Sequence, residues 1–139
     1  MDLGLVGKVV LISGSYRGTG AGTAKILADE GATVAVHGHE EGQANTVAEE
    51  IRSQGGQAIA VHGSLLTAES VESIVSDIEQ SCGPIDVLVN NYGAPARTTW
   101  SDPAEGWHDA WETNVVSGVR LTQRVLPAMK TRGWGRIIF

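Results

Sequence analysis

The chain has 139 residues, 42% of them hydrophobic and 19% charged, which is the composition of a folded globular domain. Its net charge of −6 disfavours a broad nucleic-acid-binding surface, and its single cysteine, Cys82, excludes an internal disulfide and a thiolate metal cage. No segment approaches the roughly 18 apolar residues of a membrane span, and the N-terminus lacks the basic start of a secretory signal. We therefore expect a soluble, cytoplasmic protein without a nucleic-acid, membrane or metal partner.

Short apolar runs alternate along the chain with longer segments of helical periodicity. The runs predict five strands, at residues 9–12, 33–36, 58–61, 85–89 and 136–139. The periodic segments predict helices over 19–30 and 41–53, from an N-cap at Thr67 to the residue before Gly83, and over 107–130, where Pro127 disturbs the last turn. Residues 94–106 are predicted to form a loop.

The predicted strands are apolar on both faces and are separated by helices, which is typical of a parallel sheet covered on both sides. Right-handed crossovers then favour an α/β fold with a doubly wound parallel sheet (Rossmann-type), in the strand order 3-2-1-4-5. No linker divides the chain, so we expect residues 1–139 to form one domain. Because the fifth strand is apolar and lies at the end of the chain, we expect this domain to be part of a longer fold.

A glycine-rich turn follows the first strand directly. Gly14 permits a sharp turn, Gly18 lacks the Cβ that would hold a diphosphate away from the backbone, and Gly20 lets the helix pack close to the strand. The free amides and the positive end of the helix then face an anion. A P-loop is excluded because no Gly-Lys-Ser or Gly-Lys-Thr follows. The predicted dinucleotide-binding residues are Gly14, Ser15, Tyr16, Arg17, Gly18, Thr19 and Gly20.

Three motifs carry a resemblance to a known family. Residues 13–20 resemble the TGxxxGxG loop of the short-chain dehydrogenases/reductases, residues 90–93 (NNYG) resemble their NNAG motif, and Asn114 matches the asparagine of their fourth helix. The resemblance covers essentially the whole chain and is nearest to the 3-oxoacyl-carrier-protein reductase type. It implies hydride transfer between a nicotinamide cofactor and a carbonyl or alcohol substrate, and cofactor contacts from Asn90, Tyr92 and Gly93. It also implies a homo-oligomer, a dimer or tetramer, joined by the long helix.

The second strand ends in His37-Gly38-His39, where NAD enzymes of this architecture usually place an acid. Arg17 is placed to bind a 2′-phosphate, and in the family an arginine at this position often accompanies NADP. His37 and His39 either add donors, especially when protonated, or are ordinary strand-end or loop residues. Glu40 or Glu41 would instead reach the ribose hydroxyls of NAD. We favour NADP, with NAD as the alternative.

Two positions depart from the family pattern. After the third strand the family usually has an aspartate that contacts the adenine, whereas this chain has Ser64 followed by Leu65. We expect these two residues to border the adenine with a weaker hydrogen bond. Tyr92 replaces the alanine of NNAG, and its ring either stacks on the cofactor or obstructs it. Cofactor affinity below the family norm is expected.

Reduction of a carbonyl requires a nearby proton donor. The family uses a tyrosine with a lysine four positions later, aided by a serine, all after the fifth strand. Here Gly20 follows Tyr16 and Ala96 follows Tyr92 at that distance. Of the family's catalytic group only Asn114 is in the chain, either helping to hold a water of the proton relay or bonded to nearby backbone. We expect nucleotide binding without turnover; the alternative is a non-catalytic nucleotide-binding or interaction module.

The substrate side is less defined by the sequence. Trp107 and Trp111 lie four residues apart, on one helix face, and are interpreted as packing residues first and a substrate wall second. The loop from 94 to 100 follows the carboxyl end of the fourth strand, where ligands bind in such sheets. Arg97 in this loop either meets an anionic substrate group or is simply exposed.

Overall fold

The computed structural model describes residues 2–95 and 98–139. Its five strands are all parallel and form one sheet, in the order β3-β2-β1-β4-β5. The predicted fold class and strand order are therefore confirmed. The strands are β1 (Val9–Ile12), β2 (Thr33–Gly38), β3 (Gln57–His62), β4 (Val87–Val89) and β5 (Arg136–Ile138). The helices are α1 (Gly18–Asp29), α2 (Asn45–Ser53), α3 (Ala68–Cys82), α4 (Trp107–Trp111) and α5 (Ser117–Arg132).

The core lies in two layers, one on each face of the sheet, because successive strand residues point to opposite faces. Leu11 of β1 packs with apolar residues of α3 and α5, whereas the next residue, Ile12, packs with those of α1 and α2. Both side chains are fully buried, which stabilises the fold by roughly 1.5–3 kcal/mol each. None of the helices in the described ranges has the length and apolarity needed to cross a membrane.

Helix α2 begins at Asn45, four residues later than the periodicity predicts. The segment before it is a turn, in which the Oε1 atom of Gln43 accepts hydrogen bonds from the amides of His39 (2.7 Å) and Glu40 (3.2 Å). Gly42 in this turn has a φ of +81°, which a right-handed helix does not allow. The turn carries the chain away from the carboxyl end of β2.

The predicted helix over 107–130 is interrupted. Between α4 and α5, residues Glu112–Val116 form one π-helical turn, and a short 3₁₀ turn, Ala104–Gly106, precedes α4. Pro127 does not end α5, which continues to Arg132 and stops where Gly133 adopts a φ of +70°. Thr67 caps α3 as predicted, because its Oγ1 atom accepts a hydrogen bond from the amide of Ser70 at 3.3 Å.

The order of the strands positions a crevice. The chain leaves β1 toward β2 and β3, then returns past β1 to form β4 and β5. The connections after β1 and after β4 therefore run in opposite directions, which opens a crevice at the carboxyl ends of these two strands.

Candidate functional site

A groove of about 370 Å³ lies in this crevice. All the predicted residues of the glycine loop line it except Ser15, and the end of β2 contributes His39. The segment after β4 contributes the opposite wall, formed by Asn91, Tyr92, Gly93 and Ala94.

The glycines of the loop have distinct geometric roles. Gly14 turns the chain out of β1 with a φ of +64°. A Cβ atom on Gly20 would lie 2.5 Å from Nδ2 of Asn91 and 2.8 Å from the carbonyl oxygen of Gly14, so only glycine fits there. A Cβ atom on Gly18 would meet no described atom within 4 Å, so the backbone there faces open space. The loop is therefore tightly packed against Asn91 at Gly20 and faces open space at Gly18.

Helix α1 starts at this open point. Within the described part of the chain no side chain caps α1, and its first turn carries no acidic residue. The first amides of a helix have no partner inside the helix, and the helix dipole is positive there. The start of α1 therefore presents unpaired donors and positive potential to the groove, which suits an anion.

His37 supports the loop from behind and does not line the groove. The amide of Gly14 donates to Nδ1 of His37 at 3.0 Å, and Nε2 of the same ring lies 3.0 Å from the carbonyl oxygen of Gly63. Because Nδ1 accepts, Nε2 carries the hydrogen and donates it to Gly63. The side chain is fully buried, and burial lowers the pKa of His37 to about 4.

This arrangement corrects the expected role of His37. The sequence suggested a donor to a cofactor phosphate, strengthened by protonation. In the structure both ring nitrogens bind protein backbone, and the ring is neutral near pH 7 because burial disfavours its charged form. Its contribution is to link the ends of β1, β2 and β3.

Ser15 is also turned inward. Its hydroxyl donates to the carbonyl oxygen of Ile12 at 2.7 Å and accepts from the amide of His37 at 2.9 Å. The side chain is completely buried, so its hydroxyl does not contribute to the groove. Ser15 helps to hold the glycine loop against β2.

The segment after β4 is joined to the loop through Asn91. Its Nδ2 atom donates to the carbonyl oxygens of Ser13 (2.9 Å) and Gly14 (3.2 Å). The hydroxyl of Ser13 accepts in return from the amides of Asn91 (3.1 Å) and Tyr92 (2.9 Å). These four hydrogen bonds hold the two walls of the groove together.

Asn90, the predicted cofactor ligand, is not brought to the groove. Its Nδ2 atom donates to Oγ1 of Thr122 in α5 at 3.4 Å, on the other side of the sheet. The residue that sequence reasoning missed, Asn91, takes the place beside the glycine loop. The alternation of side chains along a strand distinguishes the two asparagines. Leu88 packs on the α5 face of the sheet and Val89 on the α1 face. Asn91, two residues after Val89, is therefore expected on the α1 face, beside the glycine loop.

Ser64 and Leu65 do not line the groove either. Leu65 is buried among the apolar residues of α3, with 1% of its surface exposed. The hydroxyl of Ser64 accepts from the amide of Leu66 at 3.1 Å and closes a local turn. Ser64 therefore contacts its own turn and Leu65 the core, and neither side chain lies in the groove.

A cation of the glycine loop, Arg17, and the imidazole of His39 after β2 both border the groove. Arg17 is exposed, and its guanidinium group lies 5.1 Å from the ring centre of Tyr16. The Nε2 atom of His39 is buried and has no hydrogen-bond partner among the described residues. Both groups are donors of the type that binds phosphate oxygens.

Asn114 lies in the π-helical turn and binds backbone through both side-chain atoms. Its Oδ1 atom accepts from the amide of Ala94 at 3.0 Å, and its Nδ2 atom donates to the carbonyl oxygen of Ala110 at 2.9 Å. A Cβ atom on Gly93 would lie 2.6 Å from this Oδ1 atom. Asn114 therefore anchors the segment after β4 to the helix, as the backbone-bonded alternative expected.

Two further cavities adjoin Asn114. One, of about 340 Å³, lies between Pro95, Thr98 and Asp109. The other, of about 350 Å³, is bordered by Trp107 and Trp111. Trp111 is 62% exposed, so the prediction that it serves first in packing is wrong. Arg97 lies outside the described residues.

A parallel doubly wound sheet with a glycine-rich loop at the turning point of its strand order defines the class of dinucleotide-binding α/β domains. Residues 8–139 match the family model described as short chain dehydrogenase. The chain belongs to the short-chain dehydrogenase family.

Relatives share its sequence and its structure. It is 35% identical over 144 residues to the 3-oxoacyl-[acyl-carrier-protein] reductase FabG of Aquifex aeolicus, covering 99% of this chain and 56% of that protein. The L-sorbose reductase of Gluconobacter frateurii, solved with NADPH and L-sorbose, superposes with a TM-score of 0.88 at 33% identity, covering 99% of this chain and 53% of that one. A 7α-hydroxysteroid dehydrogenase, solved with NADH and 7-oxo glycochenodeoxycholic acid, gives 0.89 at 33% identity, covering 96% and 52%. The chain spans about half the length of the curated relatives it matches.

Proposed function

We propose that this chain is the cofactor-binding part of an oxidoreductase that transfers hydride between a nicotinamide dinucleotide and a carbonyl or alcohol substrate. The observation that carries the proposal is the groove at the glycine loop, where no described atom would contact a Cβ atom on Gly18 and no described side chain caps the start of α1. The buried Nε2 atom of His39, which has no hydrogen-bond partner among residues 2–95 and 98–139, is a second feature of the groove that fits an anionic ligand. When bound, the nicotinamide supplies the hydride donor or acceptor.

The residues that line the groove and those that support it have separate tasks in this proposal. The amides at the start of α1 hold the diphosphate, because the N–H groups and the positive end of the helix dipole both face the groove there. His37 and Asn91 hold the loop in the shape that exposes these amides. Asn114 fixes the segment after β4, which forms the opposite wall. We place the substrate in the separate cavity that Trp107 and Trp111 border, next to Asn114.

One side chain of the glycine loop and one at the end of β2 support NADP over NAD. Arg17 and His39 border the groove and are the residue types that bind an additional phosphate. The two acids considered for NAD lie elsewhere: the backbone of Glu40 belongs to the Gln43 turn, and Glu41 lines a separate cavity with Asn45. The related structures contain NADPH in one case and NADH in the other, so the support for NADP comes from the side chains of this groove.

The proton donor is proposed to lie outside these 139 residues. Tyr16 and Tyr92 both border the cofactor groove, and neither has a lysine four positions later. Burial raises the pKa of Tyr92, which makes its phenol a weaker acid at neutral pH. The 139-residue chain is therefore expected to bind dinucleotide without reducing a carbonyl. Association into a dimer or tetramer through the helical segment 107–130, implied by the family resemblance, is part of the same proposal.

A titration tests this function. NADPH and NADH are each titrated against the protein, with binding followed by the quenching of its four tryptophans. We expect NADPH to bind more tightly, and Arg17→Gln to weaken NADPH binding by about tenfold while leaving NADH nearly unchanged. Lys130→Gln, which removes an exposed charge on α5, is the matched control. Failure of both dinucleotides to bind would contradict the function, and an equal loss for both in Arg17→Gln would contradict the NADP assignment.

A further inference from the structure

The rings of His39 and Tyr92 meet across the crevice. Tyr92 follows β4 and His39 follows β2, and β1 lies between these two strands in the sheet. The two ring centres are 4.6 Å apart with an angle of 68° between the planes, which is an edge-to-face contact. Because one ring comes from each side of β1, the contact spans the crevice above the end of β1.

The ring of Tyr92 lies on the glycine loop. A Cβ atom built on Gly14 would be 3.1 Å from Cα of Tyr92 and 3.4 Å from its ring atom Cδ2. The backbone of Tyr92 is held by the hydrogen bond from its amide to the hydroxyl of Ser13 at 2.9 Å. The ring can therefore change position by side-chain rotation, whereas the backbone stays in place.

His39 is held in a similar way. Its amide donates to Oε1 of Gln43 at 2.7 Å, so its backbone is fixed at the end of β2. Its ring lies against Tyr92, and its Nε2 atom is buried with no partner in the described ranges. A buried nitrogen without a partner is unfavourable, and separation of the two rings would give it access to water or to a ligand oxygen.

The size of the groove favours obstruction over stacking. With the two rings in contact the groove holds about 370 Å³, near the lower end of the roughly 300–1,000 Å³ of ligand pockets. In a doubly wound sheet the ribose of the adenosine half is bound at the end of the second strand, which here is the position of His39. The contact between the two rings therefore lies where the adenosine half is expected to bind.

We propose that Tyr92 and His39 form a closed aromatic latch over the adenosine half of the groove, and that the Tyr92 ring leaves Gly14 when a dinucleotide binds. This inference rests on the proposed function. Tyr92 is then an affinity-determining residue, because part of the binding free energy is used to separate the two rings. Removal of the ring is expected to tighten binding by about three- to tenfold, the factor that corresponds to one edge-to-face pair.

The test compares Tyr92→Ala with Tyr92→Phe in the full 139-residue chain, by calorimetric titration. The ligands are NADPH, its adenosine half 2′,5′-ADP, and its other half, reduced nicotinamide mononucleotide. Tyr92→Ala is expected to bind NADPH and 2′,5′-ADP about three- to tenfold more tightly, with the nicotinamide half unchanged. Tyr92→Phe keeps the ring contact and is expected to bind all three as the wild type does. Equal or weaker binding of 2′,5′-ADP by Tyr92→Ala would overturn the latch, and weaker binding would show that the ring is a stacking platform.

A measurement on the wild-type chain covers the case in which Tyr92→Ala does not fold. The proton resonances of the His39 ring report the nearby Tyr92 ring, and they are identified by their loss in His39→Gln. Addition of 2′,5′-ADP to Tyr92→Phe and to the wild type is expected to remove the ring-current shift in both. Retention of that shift at saturating ligand would overturn the latch. If the wild type binds none of the ligands, both the proposed function and the latch are contradicted. If it binds 2′,5′-ADP while the contact between the two rings persists, only the latch is contradicted.

Discussion

The amide of Gly14 donates a 3.0 Å hydrogen bond to Nδ1 of His37, a residue that is 23 positions away in the chain. This bond joins the first residue of the glycine loop to the neighbouring strand. The same ring reaches the carbonyl oxygen of Gly63 at 3.0 Å. One neutral imidazole thus links the carboxyl ends of β1, β2 and β3, on the side of the sheet where the groove lies.

The first prediction concerns the pH dependence of stability. The pKa of His37 is about 4 in the folded protein and 6.5 for an ordinary histidine, so between these values the unfolded chain binds more protons. The contribution of His37 to the free energy of unfolding is complete above about pH 6.5 and is lost as the pH falls toward 4. The free energy of unfolding is expected to decrease by as much as about 3 kcal/mol over this range. Urea denaturation at several pH values between 7 and 4.5 measures it.

His37→Asn is the control for this prediction, because its Oδ1 atom can still accept from Gly14 but does not titrate. The pH profile of the free energy of unfolding should be flatter in this variant than in the wild type. If the free energy of unfolding depends on pH in the same way in the two proteins, the His37 ring is not held in its neutral form by burial and the prediction is contradicted.

A second prediction compares two glycines of α1. In Gly20→Ala the new Cβ atom would lie 2.5 Å from Nδ2 of Asn91, and the overpacking is expected to destabilise the fold by about 1–3 kcal/mol. In Gly22→Ala the new atom meets no described atom within 4 Å, and the better helix propensity is expected to stabilise by up to about 1 kcal/mol. Thermal unfolding of both variants measures the difference. Equal stability of the two would contradict the close packing at Gly20.

A third prediction concerns the exposed edge of the sheet. β5 is the last strand in the order and pairs with β4, and Ile138 and Phe139 are 52% and 72% exposed. An apolar strand with an unpaired edge promotes association, so the 139-residue polypeptide is expected to self-associate in solution. Ile138→Lys should reduce the mass measured by light scattering. Ile26→Lys is the control, since Ile26 is 62% exposed on α1, away from this edge; an equal effect of the two changes would refute the edge as the cause.

The sequence predicted the sheet well, because its signals are local. Alternation of apolar runs with helical periodicity locates the strands, and the handedness of the crossovers limits their order. The π-helical turn at Glu112–Val116 was not predicted. Asn114 within this turn accepts a hydrogen bond from the amide of Ala94, which lies 20 residues earlier in the chain. Local periodicity carries no information about such a bond.

The site was predicted less completely than the fold. The conformations of Gly14 and Gly18 and the close approach at Gly20 follow from the glycine pattern. The inward orientation of His37 does not, because a histidine at a strand end is buried only when distant partners such as Gly63 satisfy both ring nitrogens. The choice between Asn90 and Asn91 was available from strand alternation and was missed.

The most direct test of the central claim is the response of the glycine-loop amides to NADPH. In a ¹⁵N-labelled sample the amide resonances of residues 14–20 are recorded during a titration, with NADH as the comparison. The account predicts that the amides of Gly18, Thr19 and Gly20 show the largest shifts and saturate together. Saturable shifts confined to other segments, with residues 14–20 unchanged, would contradict the assignment of this loop as the diphosphate site.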